Sequence, residues 1–350
     1  MDTVFQTAIT GYGKSAQIFH IPLLNLHKGF ILRSVLLPKT STTKVHEKDV
    51  MVVRSLKELL KDDKVDLVVI TSPNRFHFEQ AKEALSADKH VVVEKPLSVT
   101  SEEAEKLIRL AKSKGKILTV FHNRRKDSDF LTLKDVLNQE KTGKPVEVIS
   151  NFLRFRNTLR DGHWKERDEP GSGILYDISP HLIDQALILF GKPESVTAGI
   201  HNQRGGSTDD AFWLKLAYQR EPPLEVTLKA GMLAADQAHR FIVRGTQASL
   251  VINGLDAQES ALSEGQTLSE AVRTELSQQQ KATLFNENRN EPEAVEMIPG
   301  NYPWFYDDLY YSLQKKGEPP VDPETALAGL KITEAAIESN KTGKKIHLNW

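Results

Sequence analysis

The chain has no cysteine. That excludes disulfides, thiol nucleophiles and cysteine-ligated zinc. It also lacks any apolar run of roughly 18 residues, the length that a membrane-spanning helix needs. Charge of neither sign is in excess: 46 basic and 47 acidic side chains leave a formal net charge of −1. Nothing in that balance favours nucleic acid or an acidic membrane as a partner. Met1-Asp-Thr-Val-Phe5 has no basic stretch followed by an apolar one, so it reads as the approach to a strand rather than a signal peptide. A further absence is local. Between Thr3 and His46 there is not one Asp or Glu.

What is present suits a soluble globule, with 39% hydrophobic and 27% charged residues. A length of 350 residues is too great for one ordinary core and comfortable for two domains. A cytoplasmic enzyme is the simplest expectation.

The first 120 residues alternate strand and helix signals. Apolar runs at 4–10, 30–37, 65–71, 91–93 and 116–121 predict strands, and helical spacing appears at 17–26, 55–61 and 78–87. A further helix is expected from Ser101, which is placed to cap it. Repeated β–α units of this length predict a parallel, doubly wound α/β sheet. After residue 123 the rhythm changes. Helices are expected at 129–138 and 180–190 around a long strand at 146–155. Strand signals then follow at 195–200, 211–217, 224–230, 240–244 and 248–252 with no helix between them. Such a succession predicts an antiparallel sheet in an α+β domain. Residues 257–300 are polar and read as a long surface excursion with one helix near 269–279. Asp322 followed by Pro323 signals a helix start. The helix over 324–339 is expected to pack back on the first domain. The expected domains are therefore 1–122 and 123–350.

Gly11-Tyr12-Gly13-Lys14-Ser15-Ala16 follows a strand and precedes a helix, the context a dinucleotide-binding turn requires. Gly11 permits the tight turn, Gly13 lets backbone approach a pyrophosphate, and Ala16 keeps helix and strand close. Gly13-Lys14-Ser15 mimics the end of a Walker loop. That loop needs glycine where Ala8 stands, so an NTPase is not expected. The missing acid matters here, because a carboxylate after the second strand would hold the ribose hydroxyls of NAD. Lys39 and Thr40 stand there instead, and a cation with hydroxyls suits the 2′-phosphate of NADP. NADP is thus favoured over NAD, although Lys39 also reads as a solvated loop residue. Ser72-Pro73-Asn74 ends another apolar strand, where open α/β sheets bind ligands, and His77 follows. Ser72, Asn74 and His77 are candidate cofactor contacts, or Pro73-Asn74 is an ordinary turn and His77 a helix cap.

The run His90-Val-Val-Val-Glu94-Lys95-Pro96 places a lysine at the end of a buried strand. Gly171-Ser-Gly-Ile-Leu-Tyr-Asp177-Ile-Ser-Pro-His181 spaces an acid and a histidine by four residues, which a helix would set on one face. Oxidising an alcohol needs a base for the hydroxyl proton, which a histidine supplies near neutral pH. A lysine stabilises the developing oxyanion, and a carboxylate orients the substrate or the histidine. Lys95, Asp177 and His181 supply these functions without a metal. Each also reads plainly as a solvated lysine or a surface pair.

Taken in order, Gly-x-Gly-x-x-Ala, Ser-Pro-Asn-x-x-His, Glu-Lys-Pro and Gly-x-x-x-Asp-x-x-x-His resemble the glucose–fructose oxidoreductase/inositol dehydrogenase/MocA family, essentially end to end. His122-Asn123-Arg124-Arg125 and Asn301-Tyr-Pro-Trp-Phe305 resemble a branch that includes NADP-using scyllo-inositol dehydrogenases. The resemblance implies an N-terminal Rossmann domain and a C-terminal α/β domain whose open, mostly antiparallel sheet forms a homodimer or larger homo-oligomer. It implies Lys95 as catalytic lysine, Asp177 as its substrate-positioning partner and His181 as proton acceptor. Glu94, Asn123 and Arg124 then fall at the cofactor, Arg125 at the substrate, and Arg156 and Trp164 in the stretch that closes over the sugar. The Lys95–Pro96 bond is often cis in such proteins. The expected activity is hydride transfer between NADP and a secondary hydroxyl of a sugar or cyclic polyol. The alternatives are a dihydrodiol-dehydrogenase-like enzyme and a non-catalytic dinucleotide-binding regulator of the galactose-repressor type.

Overall fold

The computed structural model describes residues 3–160, 162–236, 239–287, 291–315 and 317–350. The chain forms two compact units. One comprises Met1–Asn123, Glu259–Leu268 and Tyr302–Leu327; the other comprises Arg124–Gln258, Ser269–Asn301 and Ala328–Trp350.

The first unit is built on strands β1 (Phe5–Thr10), β2 (Phe30–Leu36), β3 (Met51–Val53), β4 (Leu67–Ile70), β5 (His90–Val93) and β6 (Leu118–Val120). They form a parallel sheet in the order β3-β2-β1-β4-β5-β6. All four residues of β4 are buried, as expected of a strand covered on both faces. The helices are α1 (Ile21–Leu26), α2 (Leu56–Leu60), α3 (His77–Ser86) and α4 (Ser101–Lys114). Thr100, not Ser101, caps α4. Its Oγ1 accepts from Glu103 N at 3.2 Å, and Glu103 accepts from Thr100 N at 3.3 Å. The reciprocal pair satisfies two donors where Ser101 would satisfy one.

The second unit opens with α5 (Ser128–Asn138), β7 (Pro145–Leu153) and α6 (Gly173–Phe190). Strands β8 (Ser195–His201), β9 (Ala211–Tyr218), β10 (Leu224–Gly231), β11 (Phe241–Gly245) and β12 (Ser249–Asn253) follow. Two short helices come next, α7 (Gln258–Ser263) and α8 (Glu270–Ser277), then β13 (Lys281–Phe285) and β14 (Glu293–Val295). Helix α9 (Trp304–Lys315), which like most of α7 belongs to the first unit, helix α10 (Pro323–Thr342) and strand β15 (Ile346–His347) complete the chain. The nine strands run β14-β13-β12-β11-β7-β10-β9-β8-β15, and only β7 and β10 are parallel neighbours. Leu214, Leu216, Val226 and Leu228 point inward and are essentially inaccessible. Each buried side chain of this size contributes about 1.5–3 kcal/mol. α6 packs on this inner face, with Leu182 and Ile183 in the same core as Ile332 and Ala336 of α10.

Two expectations change, and one helix was not expected. Residues 257–300 are not a surface excursion: they carry two helices, and β13 puts Ala282 and Leu284 into the core. Asn288–Asn290 lie outside the described residues. α6 begins at Gly173 rather than at Pro180, which sits inside it. The aromatic run after Pro303 is helix α9, and it buries Phe305, Tyr306 and Leu309.

Candidate active site

In the first unit the chain reverses strand order on either side of β1, since β2 lies on one flank and β4 on the other. Ligands of such sheets bind beyond the carboxyl ends of the strands at this point. Gly11 leaves β1 with φ 106°, and a Cβ there would stand 3.2 Å from Thr71 Oγ1. Gly13 has open space where a Cβ would project, and the chain is helical from Lys14 on. Ala16 is fully buried in the first helical turns. A tight glycine turn, uncovered backbone and a helix N-terminus together fit a dinucleotide pyrophosphate. Tyr12 is buried, and its hydroxyl donates to Glu47 at 2.7 Å. Burial and Glu47 both push the phenol's pKa up. Lys14 extends into solvent toward Glu259, 3.0 Å away.

Lys39 and Thr40 are exposed just past β2, whose last carbonyl, Leu36 O, accepts from Gly11 N at 3.0 Å. Arg54 adds a second cation there, its guanidinium 3.4 Å from Pro38 O. After β4, Ser72 Oγ and Thr10 Oγ1 both donate to Gln80 Oε1, at 2.9 and 2.7 Å. Asn74 is buried. His77 is the first residue of α3 and does not cap it. Its buried ring spans Ser72 O at 2.9 Å and Pro96 O at 2.7 Å, tying the loop after β4 to the loop after β5. Burial lowers its pKa, against the opposing pull of those two carbonyls.

β5 is followed by Glu94 and the half-buried Lys95, and the Lys95–Pro96 peptide is cis. Glu94 accepts from Ser15 Oγ of the glycine turn, from His20 Nε2 at 3.2 Å and from Lys95 N at 3.1 Å. Burial alone would raise the Glu94 pKa. His20, Lys95 and Ser15 outweigh it and hold the carboxyl at about 2. His20 Nδ1 in turn meets Tyr306 Oη at 2.7 Å. Burial keeps that phenol protonated by raising its pKa far above the usual value. Facing an ionised carboxylate, Nε2 of His20 carries an N–H and donates it to Glu94. Ser15 and Tyr306 lie in motifs the sequence offers, but neither they nor His20 were singled out as partners of Glu94.

In the second unit Asp177 and His181 lie one turn apart on α6, on one face. His181 is buried and Asp177 half-buried. The N-terminus of α6 is held by Asp209: its Oδ2 accepts from Leu175 N at 2.7 Å and its carbonyl from Ile174 N at 3.0 Å. Burial raises the Asp209 pKa to about 6, with Asp210 adding to the rise and Leu175 N opposing it. A Cβ on Gly173, at φ 82°, would collide with that carboxylate.

Asp177 Oδ1 is 2.6 Å from Lys165 Nζ, and that ammonium also stands 5.6 Å from the centre of the Trp164 ring. The loop carrying both is anchored by Arg204, whose side chain is only 4% exposed and which donates to Arg156 O and Thr158 O at 3.3 and 3.0 Å and pairs with Asp210 at 2.8 Å. Glu166 accepts from Arg160 N at 2.5 Å. Nη1 of Arg156 is buried and has no hydrogen-bond partner among the described residues. The structure therefore groups Trp164 with Asp177 through Lys165, a residue the sequence did not single out. Arg125 has other company: its guanidinium forks onto Asp184 at 2.8 and 2.6 Å. Arg124 pairs with Asp127 at 3.1 Å and lies 4.7 Å from the centre of the Phe152 ring. Asn123 is buried.

Two family models match the chain. The one described as oxidoreductase family, NAD-binding Rossmann fold covers residues 5–122. The other, oxidoreductase family, C-terminal alpha/beta domain, covers residues 134–348. Escherichia coli (strain K12) uncharacterized oxidoreductase YdgJ is 41% identical over 97% of this chain and 98% of its own. Bacillus subtilis scyllo-inositol 2-dehydrogenase (NADP(+)) IolW is 33% identical over 99% and 97%. Among solved structures, the putative oxidoreductase yvaA from Bacillus subtilis superposes with a TM-score of 0.91 at 32% identity, covering 100% of this chain and 99% of its own. With a dinucleotide cradle at the switch point of one sheet and an acid–histidine helix on another, the chain belongs to the Gfo/Idh/MocA oxidoreductases and is a dehydrogenase that uses a nicotinamide cofactor.

Proposed function

We propose that the chain transfers hydride between NADP and a secondary hydroxyl, or the matching ketone, of a sugar or cyclic polyol such as an inositol. The observation that carries this reading is the pairing on α6. Asp177 and His181 occupy one helix face, and Asp177 is engaged by an ammonium rather than buried in apolar surroundings. A polar acid–base face of this kind suits a substrate rich in hydroxyls. The donor nitrogen of Arg156 that is buried with no partner among the described residues supports the same class of ligand. The Bacillus subtilis relative, a scyllo-inositol 2-dehydrogenase (NADP(+)), agrees with it. For NADP over NAD, the support is two cations after β2 and β3, Lys39 and Arg54, where a ribose-binding acid would otherwise stand.

When bound, the nicotinamide accepts or returns the hydride. The remaining work falls to side chains. His181 takes the hydroxyl proton as the carbonyl forms. The Lys95 ammonium stabilises negative charge on that oxygen. Asp177 accepts from a neighbouring hydroxyl and fixes the ring. Gly11, Gly13 and the helix from Lys14 hold the pyrophosphate, and Glu94 keeps the Lys95 backbone in place through its hydrogen bond. As partners we propose the small polyol and a second copy of the chain, in a cytosolic homodimer.

A screen of inositols, glucose, xylose and galactose with NADP and NAD tests the reading. Turnover is expected with a cyclic polyol or sugar and with NADP preferred. Lys95→Met and His181→Ala should each lower kcat roughly 100- to 10,000-fold while NADPH binding, followed by fluorescence, persists. Wild-type rates in either variant would remove the assignment.

A further inference from the structure

We propose that Lys165 is a specificity-determining residue: held on Asp177, it donates to a substrate hydroxyl, so that the pair reads two adjacent hydroxyls of the substrate together. The inference rests on the reading of Asp177 as a substrate-orienting acid. Three observations carry it. An ammonium has three N–H donors. One goes to Asp177 Oδ1 at 2.6 Å, and among the described residues no hydrogen-bond acceptor takes the other two. The charge is not that of a loose surface lysine, because the Lys165 side chain is 32% exposed and that of Asp177 17%. Its backbone is fixed as well. Lys165 N donates to His163 Nδ1 at 3.3 Å, and Lys165 O accepts from Thr208 Oγ1 at 3.4 Å. Arg204 then pins the flanking carbonyls of Arg156 and Thr158. The ammonium is thus preorganised, which lowers the entropic cost of using it on a ligand.

The chemistry that matches is a vicinal diol. A carboxylate only accepts hydrogen bonds and an ammonium only donates them. Set side by side, they complement one hydroxyl that donates and a neighbour that accepts. A deoxy substrate lacking either hydroxyl leaves one half of the pair without its ligand contact, which a site built for hydrogen bonds penalises heavily. His163 suits this arrangement. Burial and the nearby Arg160 and Lys165 charges lower its pKa, against the pull of Glu166 and Asp177, and a neutral ring leaves Nδ1 able to accept from Lys165 N.

The test compares Lys165→Met and Lys165→Arg with wild type, on an inositol and on its deoxy analogues, with melting temperature and NADPH affinity measured alongside. Lys165→Met is expected to raise KM for the full polyol about ten- to a hundredfold, the range for one lost hydrogen bond to a charged donor. It should leave kcat within about threefold and NADPH affinity unchanged, and discrimination against the deoxy analogue should fall by a similar factor. Lys165→Arg, which keeps the charge, should restore most of both. An unchanged KM and unchanged discrimination in Lys165→Met would overturn the proposal and leave the enzyme assignment intact. So would a raised KM that arginine does not restore and that comes with a lowered melting temperature. A wild-type chain that oxidises no polyol with either nucleotide would sink the underlying reading and this inference with it.

Discussion

Glu94 keeps its charge in a buried place because an imidazole, a hydroxyl and a backbone amide converge on it. Its folded pKa of about 2 lies below the ordinary 4.5, so it stabilises the fold above pH 4.5, and that stability is lost as pH falls toward about 2. The contribution at neutral pH is on the order of 3 kcal/mol. Glu94→Gln should therefore lower the urea midpoint at pH 7, and the gap to wild type should close on acidification through that window. A gap that stays constant with pH would show that the charge is not what matters. At this scale the sequence revealed the strand-end Glu94-Lys95 but not its partners. Ser15, His20 and Tyr306 stand far from it along the chain, and only the parallel sheet and α9 bring them together. Lys165 was invisible for a related reason. It lies 12 residues from Asp177, in a loop whose path no periodicity encodes.

Elements with strong periodicity were legible. The five strand signals from 195 to 252 match β8 to β12 within a residue or two, because alternating burial leaves an alternating sequence. α6 was misread at its start. Gly171, Gly173 and Pro180 are ordinarily signals of loops and helix starts, and proline inside a helix costs about 3 kcal/mol. Here the apolar run Ile174, Leu175, Ile178, Leu182 and Ile183 is buried against the sheet, and Asp209 receives the first free amides. Core burial outweighs the local preference. α9 was missed because Trp304, Phe305, Tyr306, Tyr310 and Tyr311 are aromatic residues more typical of strands. Gly173 is the point where α6 is most exposed to change. Gly173→Ala would force a β-carbon to within 2.1 Å of Asp209 Oδ1 at a φ that L residues avoid. The variant should lose about 1–3 kcal/mol of stability by thermal or urea unfolding. It should also lose activity, because the helix start positions Asp177 and His181. Wild-type stability would mean that Asp209 swings clear without cost.

For the whole molecule, the outward face of the nine-stranded sheet carries a cross-strand row. Thr227 pairs with Ile149, Ile149 with Ile242, Ile242 with Val251 and Val251 with Thr283. Trp213 is exposed on the same face. Such a β-branched, partly apolar row suits burial against a second copy through a self-complementary contact. Light scattering should give at least a dimer, and Ile149→Asp with Ile242→Lys should give a monomer; a monomeric wild type would contradict this. The pairing of a parallel α/β sheet with a mostly antiparallel one was legible from the change of rhythm along the sequence. The return of segments Glu259–Leu268 and Tyr302–Leu327 to the first unit was not, because nothing local marks a chain that crosses back.

Hydride transfer from a ring carbon can be followed by isotope. An inositol carrying deuterium on its carbinol carbons, incubated with the chain and NADP, should yield NADPH that carries deuterium in its nicotinamide ring, and Lys95→Met should yield none. Reduced nucleotide without the label, or no reduction of either nucleotide by any polyol, would contradict it.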